Sequence, residues 1–385
     1  MVTNYNRYES KRYFAEKLLA ALQRQGLEVI KVDSSREGPQ ACLTAIQQFA
    51  PDLVCTFHRE QPDSEGKFWW DYFLIPHLSM LLDPACYSLD LLVSPLSIIS
   101  CVDRQDIATM HAKNIKKAFF FPHAVERELA PDPYLERVYE VVFFGSCYDY
   151  ESLRTYWGGS LPLWASRTVD DAIDRVFSNG GVSLTQALLQ AGQANPTFRK
   201  TAEYGLRTFC FRCLDTYTRG KDRIELIRSI KKAHVHVFGE LEQGLGFEKK
   251  GWSHYLGKQS NVTLHPAVSY SEALQIMKQS KVVLNSMPFF LDGSHERVFA
   301  ALACGALPVS SASGYLREEL CEGEEIEFYP AGHYTDVSDR IDAWLGNEAQ
   351  RQAAVVRGRE KVMQRHTWDQ RAELLVSEVE KIIAG

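Results

Sequence analysis

One feature restricts the fold of this chain more than any other: amphipathic helices alternate with short apolar strands, and the rhythm runs twice. In the first run, residues 10–25 (SKRYFAEKLLAALQRQ) set Phe14, Leu18, Leu19 and Leu22 at helical spacing and stop at Gly26. LEVIKVD then reads as a β-branched strand, 38–50 as a second helix, and PDLVCTF as a strand ending at His58. An apolar aromatic segment (68–82), a strand at Leu91–Val93, a helix near Arg104–Lys113 and the strand AFFF before Pro122 continue the series. Strands interleaved with helices imply a parallel sheet covered on both faces. The run closes in the Pro/Asp-rich stretch ELAPDPYLERVYE.

The second run opens with VVFFGS (141–146), whose glycine turn ends at Gly145. It resumes with a helix at Asp222–Lys232, the strands HVHVFGE and NVTLHP, the helix SEALQIMKQS, the strand KVVLNSMP, the helix SHERVFAALACG and the strand ALPVSS. Between the strand and Asp222, about 151–218, lie three or four helices by pattern, with breaks expected at Gly158-Gly159, Gly180-Gly181 and Asn195-Pro196. An insertion after a strand sits at the carboxyl edge of its sheet, where open α/β sheets bind ligands, so it is expected to cover a cleft there, a merely decorative insertion being the alternative. The last segment, TWDQRAELLVSEVEKIIAG, is an amphipathic helix with no strand after it. The predicted organisation is a first α/β domain over 1–135, a second over 136–365 and a closing helix over 366–385 that returns to the first domain.

A chain of 385 residues is long enough for two cores. Its formal net charge of -6 argues against a nucleic-acid partner, which needs a concentrated positive field. Short basic clusters (Lys113, Lys116, Lys117; Lys231, Lys232; Lys249, Lys250) read as solvated faces. The opening residues lack a signal-peptide core and the apolar stretch near Leu91–Val102 is broken by Pro95, so a cytoplasmic protein without a transmembrane segment is expected. Peripheral contact with a membrane stays open. Nine scattered cysteines read as reduced thiols, and Cys210/Cys213 as a buried helical pair rather than a metal site.

The stretch most informative about chemistry is DGSHERVFAALACGALPV, beginning at Asp292. It contains a strand end, a Gly-Ser turn, a helix, a glycine terminator and another strand. The turn at Gly293-Ser294 brings the first N–H groups of the helix to a ligand edge, where a pyrophosphate can lie against the positive end of the dipole. Ser294 is the expected N-cap. His295, Glu296 and Arg297 follow in the first turn, and Ala300, Ala301, Ala303 and Gly305 allow close packing on the sheet.

This stretch resembles the donor-binding helix of group 1 (GT4-like) glycosyltransferases, in particular the CgeB-like, spore-maturation-protein-type branch. Asp83-Pro84, FFFPHAV, VVFFGS, TLHPAVSYSEAL and HTWDQRAELL resemble further family segments in the same order, so the likeness covers most of the chain outside 151–218. It implies the GT-B fold: two Rossmann-like domains facing a cleft, here with a helical insertion in the second and a C-terminal crossover helix. It also implies transfer of a sugar from a nucleoside-diphosphate sugar, most often UDP-linked, with retention at the anomeric carbon.

Two departures stand out. Of the paired glutamates that many relatives carry, the positions here are Asp292 and Ala300, and an alanine cannot hold a ribose hydroxyl. Glu296 lies one turn before Ala300 on the same face, where it would take over a donor contact or serve only the helix dipole. The first strand is reduced to something like VTNY, which makes an atypical sheet edge.

Basic residues after the insertion, Arg219, Lys221 and Arg223, are candidates for the diphosphate, with Lys221 and Arg223 preferred. His265 ends a strand where the family binds the base. His58 is an expected acceptor-side group, able to orient or deprotonate a hydroxyl, and His123 and Asp83 have the same standing. Asp292 and Glu296 complete the catalytic candidates. No D-x-D triplet and no zinc-ligand spacing occurs, so neither metal nor cofactor is expected. The acceptor is not specified. Two alternatives remain beside a transferase: a non-catalytic GT-B module that binds a nucleotide sugar or a protein, and a nucleotide-sugar epimerase.

Overall fold

The structure is a computed structural model and describes residues 1–4, 6–57, 60–179, 182–243, 245–246 and 250–384. The chain divides into two units. Unit 1 comprises Met1–Leu129, Ser269–Glu272 and Val362–Gly385, and unit 2 comprises Ala130–Val268 and Ala273–Lys361.

Unit 1 is built on six parallel strands: β1 (Val2–Thr3), β2 (Val32–Asp33), β3 (Val54–Thr56), β4 (His77–Leu81), β5 (Ser97–Cys101) and β6 (Ala118–Phe120), in the order β2-β1-β3-β4-β5-β6. The helix Ser10–Arg24 buries Phe14, Leu18 and Leu22, the stripe that its sequence spacing demands. Each such side chain contributes roughly 1.5–3 kcal/mol when fully buried. The closing helix Trp368–Ala384 packs on it, and Arg24 grips Asp369 with two hydrogen bonds of 2.7 and 2.9 Å. Arg371 donates to the carbonyls of Pro122 and His123, which ties the same helix to the segment after β6.

Two strand expectations are corrected. Of LEVIKVD, only Val32–Asp33 is strand, because β2 is an edge whose sole neighbour, β1, offers two residues to pair with. Leu91–Val93 falls in a 3₁₀ segment, Ala85–Val93, and the strand is Ser97–Cys101 instead. Pro95 supplies no N–H for a ladder, so pairing starts beyond it. Leu91 packs beside Ile99 and Cys101 in the core under β5.

Unit 2 carries β7 (Tyr139–Phe144), β8 (Tyr148–Asp149), β9 (Val235–Phe238), β10 (Leu245–Gly246), β11 (Val262–His265), β12 (Ser280–Asn285), β13 (Leu307–Ser311) and β14 (Glu327–Tyr329). Six of them form a parallel sheet in the order β11-β9-β7-β12-β13-β14, while β8 and β10 pair separately. Val141, Val142 and Phe143 of the central β7 are fully buried, as a continuous apolar run covered on both faces requires.

Between β8 and β9 stand the helices Tyr150–Ser160, Leu163–Asn179, Leu184–Ala194, Pro196–Thr201 and Tyr204–Ser229. Gly158 and Gly159 do not break the first of these; they lie exposed within it, and Pro162 just beyond is the stop. Asn195 does punctuate, its side chain accepting from the N–H groups of Thr197 and Phe198 to start the Pro196 helix. Gly180-Gly181 lies outside the described residues. The helix expected from Asp222 begins at Tyr204, because Cys210, Cys213, Leu214 and Tyr217 carry the same buried stripe upstream.

Candidate functional site

In unit 2 the chain runs from β7 outward through β9 to β11, then returns to the other side of β7 for β12, β13 and β14. The order therefore reverses between β7 and β12. In open parallel sheets the crevice outside the carboxyl ends at such a reversal is where ligands bind. Here those ends are Phe144-Gly145-Ser146 and Asn285-Ser286.

The long helix Tyr204–Ser229 delivers two charged residues to them. Arg223 is 4% exposed and donates from Nη1 to the Ser146 carbonyl at 2.9 Å. Its guanidinium lies 5.0 Å over the Tyr148 ring, and its Nε has no hydrogen-bond partner among the described residues. The adjacent Asp222 is fully buried and accepts from Ser286 Oγ (2.5 Å), Tyr334 OH (2.7 Å) and Tyr329 OH (2.9 Å). Burial pushes its carboxyl up, against the three hydroxyls and Arg223, which hold it down. Asp222 thus fastens the helix to the end of β12 and, through Tyr329, to β14.

Gly145 donates its N–H to Phe238 and accepts from Trp252 Nε1 at 3.0 Å. Gly239 lets this turn close: a Cβ there would stand 2.3 Å from the Gly145 carbonyl and 2.4 Å from Trp252 Nε1. No side chain can occupy that position without opening the loop that holds Ser146.

The helix Glu296–Cys304 points its first turn to the same edge from the β12 side. Its N-cap is His295, without a side-chain cap bond, and not Ser294. Ser294 is fully buried one residue before the cap, in a turn where Ser313 Oγ donates to the Gly293 carbonyl (2.6 Å) and Gly314 N–H to that of Leu291 (2.7 Å). His295 Nδ1 lies 2.5 Å from Glu296 Oε2, both side chains mostly buried. Arg297 donates from Nη1 to Asn285 Oδ1 at 3.1 Å, and Asn285 donates in turn to Ser310 Oγ at 2.9 Å. The first turn of the helix is therefore attached to the end of β12. Asp292 is half-buried under the Gly314 turn, with Oδ1 2.9 Å from where a Gly314 Cβ would stand. Ala300 is fully buried against the sheet.

The other sequence candidates separate. Arg219 donates from Nε to Asp215 at 2.7 Å and stacks 3.7 Å over Phe289, so its charge is already compensated within its own helix. Lys221 directs Nζ over the Phe177 ring at 4.7 Å, toward the helix Leu163–Asn179. His265 ends β11, two strands from β7; its ring stacks on Phe238 at 4.4 Å and its Nε2 lies 2.9 Å from His236 Nδ1. Burial, then His234, lowers the His265 pKa, and burial, His234 and His265 bring His236 down to about 4. His58 lies outside the described residues. His123 is buried beside Phe14, and Asp83 is exposed. Sequence reasoning missed Asp222, Asn285, Ser286, Tyr329 and Tyr334; the available signal was polar residues standing where apolar strands end.

Among the described residues no group of three or more His, Cys, Asp and Glu side chains could hold a metal ion, and no helix is long and apolar enough to cross a membrane.

Residues 221–377 match the family model described as glycosyl transferase-like. No curated protein matches the chain. Among solved structures, a sucrose-phosphate synthase from Thermosynechococcus elongatus superposes with a TM-score of 0.59 at 12% identity, covering 100% of this chain and 99% of that one. HepE from Anabaena, solved in complex with UDP-glucose, gives 0.54 at 8% identity with 99% of each chain covered. AviGT4, a glycosyltransferase involved in avilamycin A biosynthesis, gives 0.54 at 12% identity, covering 100% and 98%. By its fold this chain is a GT-B protein, and residues 221–377, most of them in its second unit, are glycosyl transferase-like.

Proposed function

We propose that the chain transfers a sugar from a nucleoside-diphosphate sugar, UDP-linked, to an acceptor hydroxyl, and that unit 2 holds the diphosphate. The observation that carries this reading is Arg223: a buried guanidinium at the strand-order reversal, held by the Ser146 carbonyl and with Nε unmatched among the described residues. A cation there, opposite the N-terminal turn of the Glu296 helix, supplies positive charge where a leaving diphosphate gains negative charge. HepE, of the same fold, is solved with UDP-glucose, which supports the choice of nucleotide.

In this reading Arg223 and the first-turn N–H groups bind the diphosphate, while Glu296, oriented by His295, takes the donor contact that Ala300 cannot make. Arg297 holds the helix to β12 rather than reaching for the ligand. The charge on the leaving group is met by protein groups, so turnover is metal-independent. The order of the sequence segments supports the CgeB-like branch, and retention of configuration follows from that resemblance.

Titration calorimetry with UDP and UDP-sugars, followed by a donor-hydrolysis assay, tests the proposal. Binding and slow hydrolysis are expected, with Arg223→Ala lowering turnover by about 10²–10³, the usual loss for one transition-state donor. Binding without turnover for any donor and acceptor would identify a non-catalytic module. Conversion of the donor without an acceptor, to an isomeric nucleotide sugar, would identify an epimerase. Wild-type behaviour in Arg223→Ala would remove the site.

A further inference from the structure

The basic cluster Lys113, Lys116 and Lys117, solvated by its sequence, acquires neighbours in the fold. It lies at the amino end of β6, and the segments 72–76 and 92–96, each beginning in the end of a helix, lead into β4 and β5, which pair in sequence order β4-β5-β6. Direct bonds join these segments and the residues next to them. Lys117 Nζ donates to the Pro95 carbonyl at 2.6 Å, Trp70 Nε1 donates to Ser94 Oγ at 3.1 Å, and the His77 N–H donates to the Leu96 carbonyl.

This edge exposes apolar side chains that the core does not use. Leu74 is 80% exposed, Val93 65% and Tyr72 58%. Leu74 also caps the helix Trp69–Phe73 in the left-handed conformation, at φ 55°. Glycine or asparagine fits such a position with little strain, whereas a leucine is strained there and a fully exposed leucine gains nothing from the fold. Lys113 and Lys116 are exposed. Of the nearby acids, Glu65 pairs with Lys67 at 3.3 Å, while Asp63 and Asp71 keep their charge and accept from the hydroxyls of Tyr72 (2.5 Å) and Ser94. Lys67 Nζ sits 5.4 Å over the Tyr72 ring.

From this juxtaposition we propose that the amino-end edge of β4–β6 is a docking surface for an anionic lipid bilayer, with Leu74 and Val93 entering the interface and Lys113, Lys116 and Lys117 facing lipid phosphates. The chain as a whole is negative, at -6, so attraction to such a surface requires the cations to be gathered on one face. Apolar residues ringed by lysines are the combination that holds a protein at the headgroup boundary. The inference is independent of the donor chemistry proposed for unit 2.

The test is flotation of the full chain with vesicles of phosphatidylcholine alone or with about 30 mol% phosphatidylglycerol, anionic lipid being what attracts basic clusters. The chain is expected to float with the anionic vesicles at low salt and to be released as salt rises. Replacing Lys113, Lys116 and Lys117 together by alanine should weaken partition about a hundredfold, at roughly a factor of five per lysine. Leu74→Gly separates the lipid role from a structural one: it should raise the melting temperature, since φ suits glycine, yet weaken partition severalfold. No flotation, equal flotation with neutral vesicles, or unchanged flotation of the folded triple-lysine variant would overturn the proposal.

Discussion

Asp222 and Arg223 are adjacent in sequence and opposite in task. The acid accepts from three hydroxyls that anchor its helix, and the base keeps an Nε with no hydrogen-bond partner among the described residues. Asp222→Asn keeps the volume but offers a single acceptor oxygen, so buried hydroxyls lose partners at about 1–3 kcal/mol each. A fall of that order in denaturant midpoint, with donor affinity weakened, is the expected result; a variant as stable as the parent would contradict it. Arg223→Lys should recover little of the activity lost in Arg223→Ala, because an ammonium cannot serve the Ser146 carbonyl and a ligand with a planar fork. The sequence offered Arg219, Lys221 and Arg223 as candidate cations and preferred the last two without separating them. At 100° per residue they point to Asp215, to Phe177 and to Ser146 respectively, and phase could not be assigned while the helix seemed to start at Asp222. His366 offers a test of sign. It is buried, accepts from Arg371 at 2.9 Å and has its pKa lowered to about 3 by burial, then by Arg371 and Arg365. Folding keeps it neutral while the unfolded chain protonates near 6.5, so its contribution is present above that value and drains as pH falls from about 6.5 toward 3. Urea midpoints across that window should fall less steeply in His366→Gln than in the parent.

At the scale of elements, the helix Glu296–Cys304 was the most readable part of the chain. Its small residues, its glycine stop and the strand after it are all where the pattern put them. Its cap was misread by one residue because Ser294, a good capping side chain, is drawn into the buried turn under Ser313. Gly305 ends the helix at φ 85°, with its N–H and that of Ala306 bonded back to Leu302 and Ala301. A Cβ there would meet Arg137 Nη2 at 2.3 Å, the same guanidinium that holds the Ser280 carbonyl at the start of β12. Gly305→Ala is therefore expected to cost more than the roughly 1–2 kcal/mol of the left-handed conformation alone, measured by thermal or chemical unfolding. The strands legible in sequence were long, β-branched and central, such as β7 and β12. Those misjudged were β2, an edge with a two-residue neighbour, and β5, displaced past a proline.

For the whole molecule, the repeated rhythm was enough for two parallel sheets covered by helices, and the GT-B fold came from the resemblance of the donor-binding stretch. Sequence punctuation put one boundary at 135 and the returning helix at 366, while the compact units divide after Leu129 and Lys361. If protein groups alone meet the charge of the leaving diphosphate, donor turnover should be unchanged by a chelator and by added magnesium, as an assay with and without each would show. What the rhythm could not reveal is how the inserted helices join the site: they end in the very helix that bears Asp222 and Arg223, 26 residues and so about 39 Å long. That helix behaves as a ruler with an angular scale. Deleting a single residue between Tyr204 and Asp222 would swing everything upstream by about 100°, a little over a quarter of a circle. Descendants of this chain can thus lengthen or shorten it only in steps near a whole number of turns, and gaps of about 4, 7 or 11 residues are the ones to look for when related sequences are compared.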